Sequence, residues 1–135
     1  MSTHSVLIVE DDPVSLSLLV SITQRAGFET ETATNGAEGL YHFLRKPDYT
    51  AVLLDLMMPE VDGLELLKVI ESLYKSGTLQ GHGKIIIETA LTDFQVLKEL
   101  VNYTSVYSVR NKPIKKDELV RDLMTLKDQA ESEEG

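Results

Sequence analysis

Val6-Leu7-Ile8-Val9-Glu10-Asp11-Asp12-Pro13 changes character in a single step, from unbroken aliphatic to acidic. Aliphatic residues without polar alternation mark a strand covered on both faces, as in a parallel sheet. Pro13 suits the first position of a helix and Asp12 the cap before it, so strand hands over directly to helix. The same boundary recurs along the chain. Ala51-Val52-Leu53-Leu54 ends in Asp55, Lys84-Ile85-Ile86-Ile87-Glu88 runs into Thr89-Ala90, and Val106-Tyr107-Ser108-Val109 leads to Lys112-Pro113. In an open α/β sheet, ligands bind beyond the carboxyl ends of the strands, so these residues are expected to share one crevice.

Between the strand-like runs the apolar period lengthens. Leu16, Leu19, Ile22 and Ala26 recur at helical spacing, giving a helix with one buried face that Gly27 ends. Residues 28–33 form a weaker, more polar strand suited to a sheet edge. Asn35 and Glu38 have the spacing of a capping box, and Ala37, Leu40, Tyr41 and Leu44 form the stripe that helix is expected to bury. Leu64, Leu67 and Ile70 mark a third helix, and residues 77–83 a flexible connection. Thr92 with Gln95 is the expected cap of a fourth helix carrying Phe94, Leu97 and Leu100, and Leu119, Leu123 and Leu126 mark the last. Strands and helices in this alternation predict an α/β, doubly wound (βα)5 domain with right-handed crossovers. Residues 5–128 read as one domain, and 129–135, rich in glutamate, as a flexible acidic tail.

Composition narrows the function. At 135 residues the chain suits a single core. A formal net charge of −9 argues against a nucleic-acid surface, which would be basic. The absence of cysteine excludes a disulfide framework, a thiolate metal site and a cysteine nucleophile. No apolar run approaches membrane-spanning length, and Met1-Ser2-Thr3-His4 lacks the pattern of a signal peptide. The expected location is therefore cytoplasmic, with no membrane partner. His4, His42 and His82 are scattered without metal-ligand spacing and read as surface or boundary residues.

Acids crowded at the ends of neighbouring strands repel, and a divalent cation relieves that repulsion. Mg²⁺ binds through one or two carboxylates and keeps room for water and phosphate oxygens. Asp55 would then serve as ligand and as nucleophile, since carboxylates form aspartyl-phosphate intermediates. Thr89 supplies a hydroxyl donor and Lys112 a compact positive charge for phosphoryl oxygens.

Four stretches together resemble the receiver domain of two-component response regulators, a family that includes the chemotaxis regulator. They are Val6 to Pro13, Leu53-Leu54-Asp55-Leu56-Met57-Met58-Pro59-Glu60-Val61-Asp62-Gly63, Thr89-Ala90 and Lys112-Pro113. The resemblance implies a flavodoxin-like three-layer sandwich with strand order 2-1-3-4-5. It implies that Asp55 accepts a phosphoryl group from a sensor histidine kinase or a histidine phosphotransfer protein. By the same resemblance Glu10, Asp11, Asp55 and the backbone carbonyl of Met57 would hold Mg²⁺, with Mn²⁺ able to substitute. Thr89 and Ala90 would form the switch, Lys112 would contact the phosphoryl group, and the bond before Pro113 is often cis in the family.

Three positions depart from the family pattern. Glu10 stands where Asp is commoner. Val109 stands where many members carry Tyr or Phe, and strand alternation would put Tyr107 on the same side as Val109, a candidate to stand in for the aromatic switch. Residues 101–105 lack the usual small-residue turn.

Other readings compete. A haloacid-dehalogenase-type phosphatase also uses an aspartyl-phosphate but carries a second Asp where this chain has Met57, so turnover of small phosphate esters is not expected. A pseudo-receiver, a phosphorylation-independent interaction module on the same fold, would lack an acid, the threonine or the lysine. All are present here. The expected protein is a phosphorylation switch with an unidentified downstream partner, either standing alone or cut from a larger regulator or hybrid kinase.

Overall fold

The structure is a computed structural model that describes residues 4–56, 63–90 and 92–134. Strands and helices alternate throughout: β1 (Ser5–Val9), α1 (Pro13–Arg25), β2 (Glu29–Ala33), α2 (Gly36–Arg45), β3 (Ala51–Asp55), α3 (Gly63–Lys75), β4 (Ile85–Thr89), α4 (Phe94–Leu100), β5 (Val106–Asn111) and α5 (Lys116–Glu134). The strands form one parallel sheet in the order β2-β1-β3-β4-β5. β1, β3 and β4 are the inner strands and are buried at every residue, which explains their unbroken aliphatic runs. The polar β2 lies at an edge, where one side of the strand meets solvent.

Alternate residues of each inner strand feed two apolar layers. Val6, Ile8, Leu53 and Ile86 pack with Leu19 and Ile22 of α1 and with Leu119, Leu123 and Leu126 of α5. Leu7, Val9, Leu54, Ile85 and Ile87 pack with Phe43 of α2, with Leu66, Leu67 and Ile70 of α3, and with Leu100 of α4. The helix starts are set locally. Asp12 accepts from the Ser15 amide at 2.8 Å with Pro13 opening the helix, and Asn35 accepts from the Glu38 amide at 2.8 Å. Gly27, at φ +98°, closes α1 in the left-handed region that glycine adopts without strain.

Four expectations need correction. The cap of α4 is Asp93, whose carboxylate accepts from the Gln95 and Val96 amides, not Thr92. The buried side of α2 is Gly36, Gly39 and Phe43 with Leu40 half-buried, while Tyr41 and Leu44 are exposed. A Cβ on Gly39 would stand 2.9 Å from Val9 Cγ2, so a side chain there would have to push Val9 aside. The segment expected to be a loose tail from 129 is helical to Glu134. Its Glu131 lies 3.5 Å from His4, and its Glu133 meets His82 near the start of β4. The fourth correction concerns Tyr107. The β4–β5 register jumps from Ile85↔Val106 to Ile86↔Ser108, so Tyr107 is an extra residue in the strand. Such a bulge breaks the alternation. Tyr107 packs on the α1/α5 layer and Val109 on the opposite one, so the two do not share a side as alternation would have placed them.

Among the described residues, no helix is long and apolar enough to cross a membrane.

Candidate functional site

Because β1 and β3 are neighbours in register, with Val9 opposite Leu54, the residues that follow them emerge side by side. Glu10 and Asp55 are buried and Asp11 is half-buried. One carboxylate oxygen from each of the three lies within 4.8 Å of the others. Hard oxygen donors at that separation, two of them withdrawn from water, suit a small divalent cation such as Mg²⁺. Met57, expected to add its carbonyl, lies outside the described residues, as do Pro59 and Asp62.

Lys112 reaches into this cluster from the segment after β5. Its Nζ donates to Asp55 Oδ2 at 3.0 Å and to Glu10 Oε1 and Oε2 at 3.2 and 3.3 Å. Glu10 Oε1 also accepts from the Asp12 amide at 3.0 Å. Burial pushes the Glu10 carboxyl up to about 7, and the nearby Asp55 charge adds to this, while the Asp12 amide and Lys112 oppose it. Burial also works against the Lys112 ammonium, but its hydrogen bonds to Asp55 and Glu10 outweigh that and hold its pKa above the ordinary lysine value. One cation thus compensates two buried carboxylates.

β4 lies on the other side of β3, with Glu88 opposite Asp55, so Thr89 sits one residue further toward the carboxyl end of the sheet. Thr89 is buried and its carbonyl accepts from the Lys112 amide at 2.9 Å; Ala90, which follows, is exposed. The Lys112–Pro113 peptide bond is cis. Glu10, Asp11, Asp55, Thr89 and Lys112 therefore share one end of the sheet, and Tyr107 falls outside the cluster.

Several polar residues were not assigned a place by sequence reasoning. Glu88 is buried behind Asp55 and accepts from the Ile114 amide at 3.1 Å. Arg110, opposite Glu88 in the register, donates to both oxygens of buried Asp122 at 2.7 and 3.0 Å and to Glu118 at 3.0 Å. Glu71 of α3 accepts from the Thr104 and Ser105 amides, each at 2.9 Å, and from the Ser105 hydroxyl at 2.8 Å. A signal existed for two of them. Glu88 lies in a strand whose neighbours all read as buried, and Glu71 sits one turn beyond Leu67 on the apolar side of its helix.

Residues 6–124 match the family described as the response regulator receiver domain. Among curated proteins, the Haemophilus influenzae CpxR homolog, a transcriptional regulatory protein, is 44% identical over 64 residues, covering 47% of this chain and 27% of that protein. Hybrid signal transduction histidine kinase B of Dictyostelium discoideum is 30% identical over 124 residues, covering 87% of this chain and 6% of that protein. The chain spans less than a third of the length of such relatives. Among solved structures, a CheY-like receiver domain protein from Methanospirillum hungatei superposes with a TM-score of 0.80 at 25% identity, covering 98% of this chain and 99% of that one. CheY of Borrelia burgdorferi, solved in a complex with CheX, beryllofluoride and magnesium, gives 0.77 at 26% identity over 91% of this chain and 88% of that one. The sequence match runs from β1 into α5 and the superpositions take in nearly every element, so the chain belongs to the receiver domains of two-component response regulators.

Proposed function

We propose that Asp55 is the phosphoacceptor of a phosphorelay switch. The observation that carries this reading is the convergence of Glu10, Asp11, Asp55 and Lys112 at the carboxyl end of the sheet, with Thr89 on the adjacent strand. An Asp55 oxygen attacks the phosphorus of a phosphohistidine on a partner kinase or phosphotransfer protein. The P–N bond to imidazole breaks as the P–O bond to Asp55 forms. Glu10, Asp11 and Asp55 would hold Mg²⁺, which when bound neutralises charge on the phosphoryl oxygens. Lys112, already within hydrogen-bond reach of Asp55, pairs with one phosphoryl oxygen, and the Thr89 hydroxyl donates to another. The domain assists its own phosphorylation and hydrolysis and turns over no small molecule.

Phosphorylation biases a two-state equilibrium that Thr89 and Ala90 report to the β4–β5 side of the domain, where a downstream protein binds. Relatives named as transcriptional regulators and as a hybrid kinase support this kind of relay, with output supplied by other domains or proteins.

The test is intact mass after incubation with acetyl phosphate and Mg²⁺, beside Asp55→Asn. The expected result is a Mg²⁺-dependent gain of one phosphoryl group that the variant lacks. Equal labelling of Asp55→Asn would overturn the assignment.

A further inference from the structure

The buried carboxylate of Glu88 has no part in the chemistry described above. It is only 3% exposed, on the strand between Asp55 and Arg110. Oε2 accepts from the Ile114 amide at 3.1 Å, while Oε1 is buried without a hydrogen-bond partner among the described residues. A carboxylate oxygen left bare in an apolar layer is costly. Ile86, Ile114 and Leu119 belong to the layer on this face, where an apolar side chain would escape that cost but leave the Ile114 amide without its acceptor. Packing alone does not explain glutamate at this position.

What Glu88 holds is the segment that carries Lys112. The chain there is fastened to β4 on both sides of Pro113: the Lys112 amide donates to Thr89 O at 2.9 Å, and the Ile114 amide donates to Glu88. Pro113 has no amide of its own to give. We infer that Glu88 is a positioning residue, which fixes the backbone beyond Lys112 so that Nζ is held at Asp55. This inference rests on the reading of Lys112 as the cation that contacts the phosphoryl group. The strand that presents Thr89 then also aims Lys112, so the two phosphoryl contacts share one support.

The experiment measures the rate of phosphorylation by acetyl phosphate at saturating Mg²⁺ for the wild-type chain and for Glu88→Met, Glu88→Gln, Lys112→Ala and the Glu88→Met/Lys112→Ala double variant. Glu88→Met, of similar volume but unable to accept, is expected to slow the reaction about tenfold. Glu88→Gln, whose amide oxygen accepts from Ile114, is expected to recover most of that loss. In the Lys112→Ala background, Glu88→Met is expected to add little, because the residue it positions is gone. Hydrogen exchange at the Ile114 amide supplies a readout independent of the reaction, fast in Glu88→Met and slow in Glu88→Gln. Should Glu88→Met fail to fold, Glu88→Asp, one methylene too short to reach, is compared with Glu88→Gln in the same way.

A wild-type rate in Glu88→Met, or losses in the double variant that multiply as independent effects do, would overturn the inference and leave the role of Lys112 intact. A wild-type rate in Lys112→Ala would instead overturn the reading beneath it.

Discussion

Lys112 is the side chain that balances the buried acids of the site. It faces two carboxylates that are almost entirely withdrawn from water, Glu10 and Asp55. Removing one partner from a buried ionic group leaves the other charge uncompensated. Lys112→Ala should therefore lower unfolding stability by about 3 kcal/mol in the presence of a chelator. Excess Mg²⁺ should return most of the loss, and denaturant titrations with and without the metal check both halves. Glu71 makes the opposite case for an acid. Burial alone would raise its pKa, but the Ser105 and Thr104 amides and the Ser105 hydroxyl outweigh this and hold it below the ordinary carboxylate value. An acid whose pKa falls on folding stabilises the fold above its unfolded pKa, and that contribution is lost as pH falls through the folded value. Glu71→Gln should thus cost about 2 kcal/mol at neutral pH. The gap to wild type should narrow in acid, below the usual carboxylate range, as thermal melts at a series of pH values would show.

At the scale of elements, the close approaches matter most. A Cβ on Gly63 would stand 2.1 Å from the Asp55 carbonyl oxygen and 2.8 Å from Leu56 Cα, so α3 begins in direct contact with the backbone of β3. Gly63→Ala has to move the strand end that presents Asp55. It should cost about 3 kcal/mol and slow phosphorylation as well. Gly39→Ala meets side-chain methyls of Val9 and Leu66 instead, which can yield, and alanine's helix propensity offsets about 1 kcal/mol of the strain. Its loss should be the smaller, and urea unfolding of the two variants decides. These glycines also show where sequence reading stops. That Asp11, Asp55, Thr89 and Lys112 would meet was legible because each lies at or just beyond the end of a strand-like run, and strand ends converge in this fold. The buried face of α2 was not, because Gly36 and Gly39 count for nothing in an apolar stripe, yet their smallness is what brings the helix onto β1. Tyr107 was misplaced because the inserted residue in β5 leaves no mark on the sequence, and one extra residue reverses which layer a side chain joins.

Across the whole molecule, the sheet is the shared wall of two apolar layers. Leu67 belongs to one and Leu123 to the other, and both are fully buried. Each truncation to alanine should cost about 2–5 kcal/mol. Since both layers rest on the same strands, each variant should still unfold in a single transition, coincident by far-UV circular dichroism and tyrosine fluorescence. Separate transitions would mean that the layers melt independently. The hydrogen bonds of Glu71 act at this scale too. They moor the chain just beyond the last turn of α4, where Leu100 is buried, whereas Phe94 in the first turn is 70% exposed. A helix packed at its foot and held at its head, among the described residues, only by its own Asp93 cap is hinged like a drawbridge. Under the proposed switch, a displacement starting at Thr89 is expected to move the moored end least and the free one most, and backbone amide shifts on phosphorylation, larger around Phe94 than around Leu100, would check it.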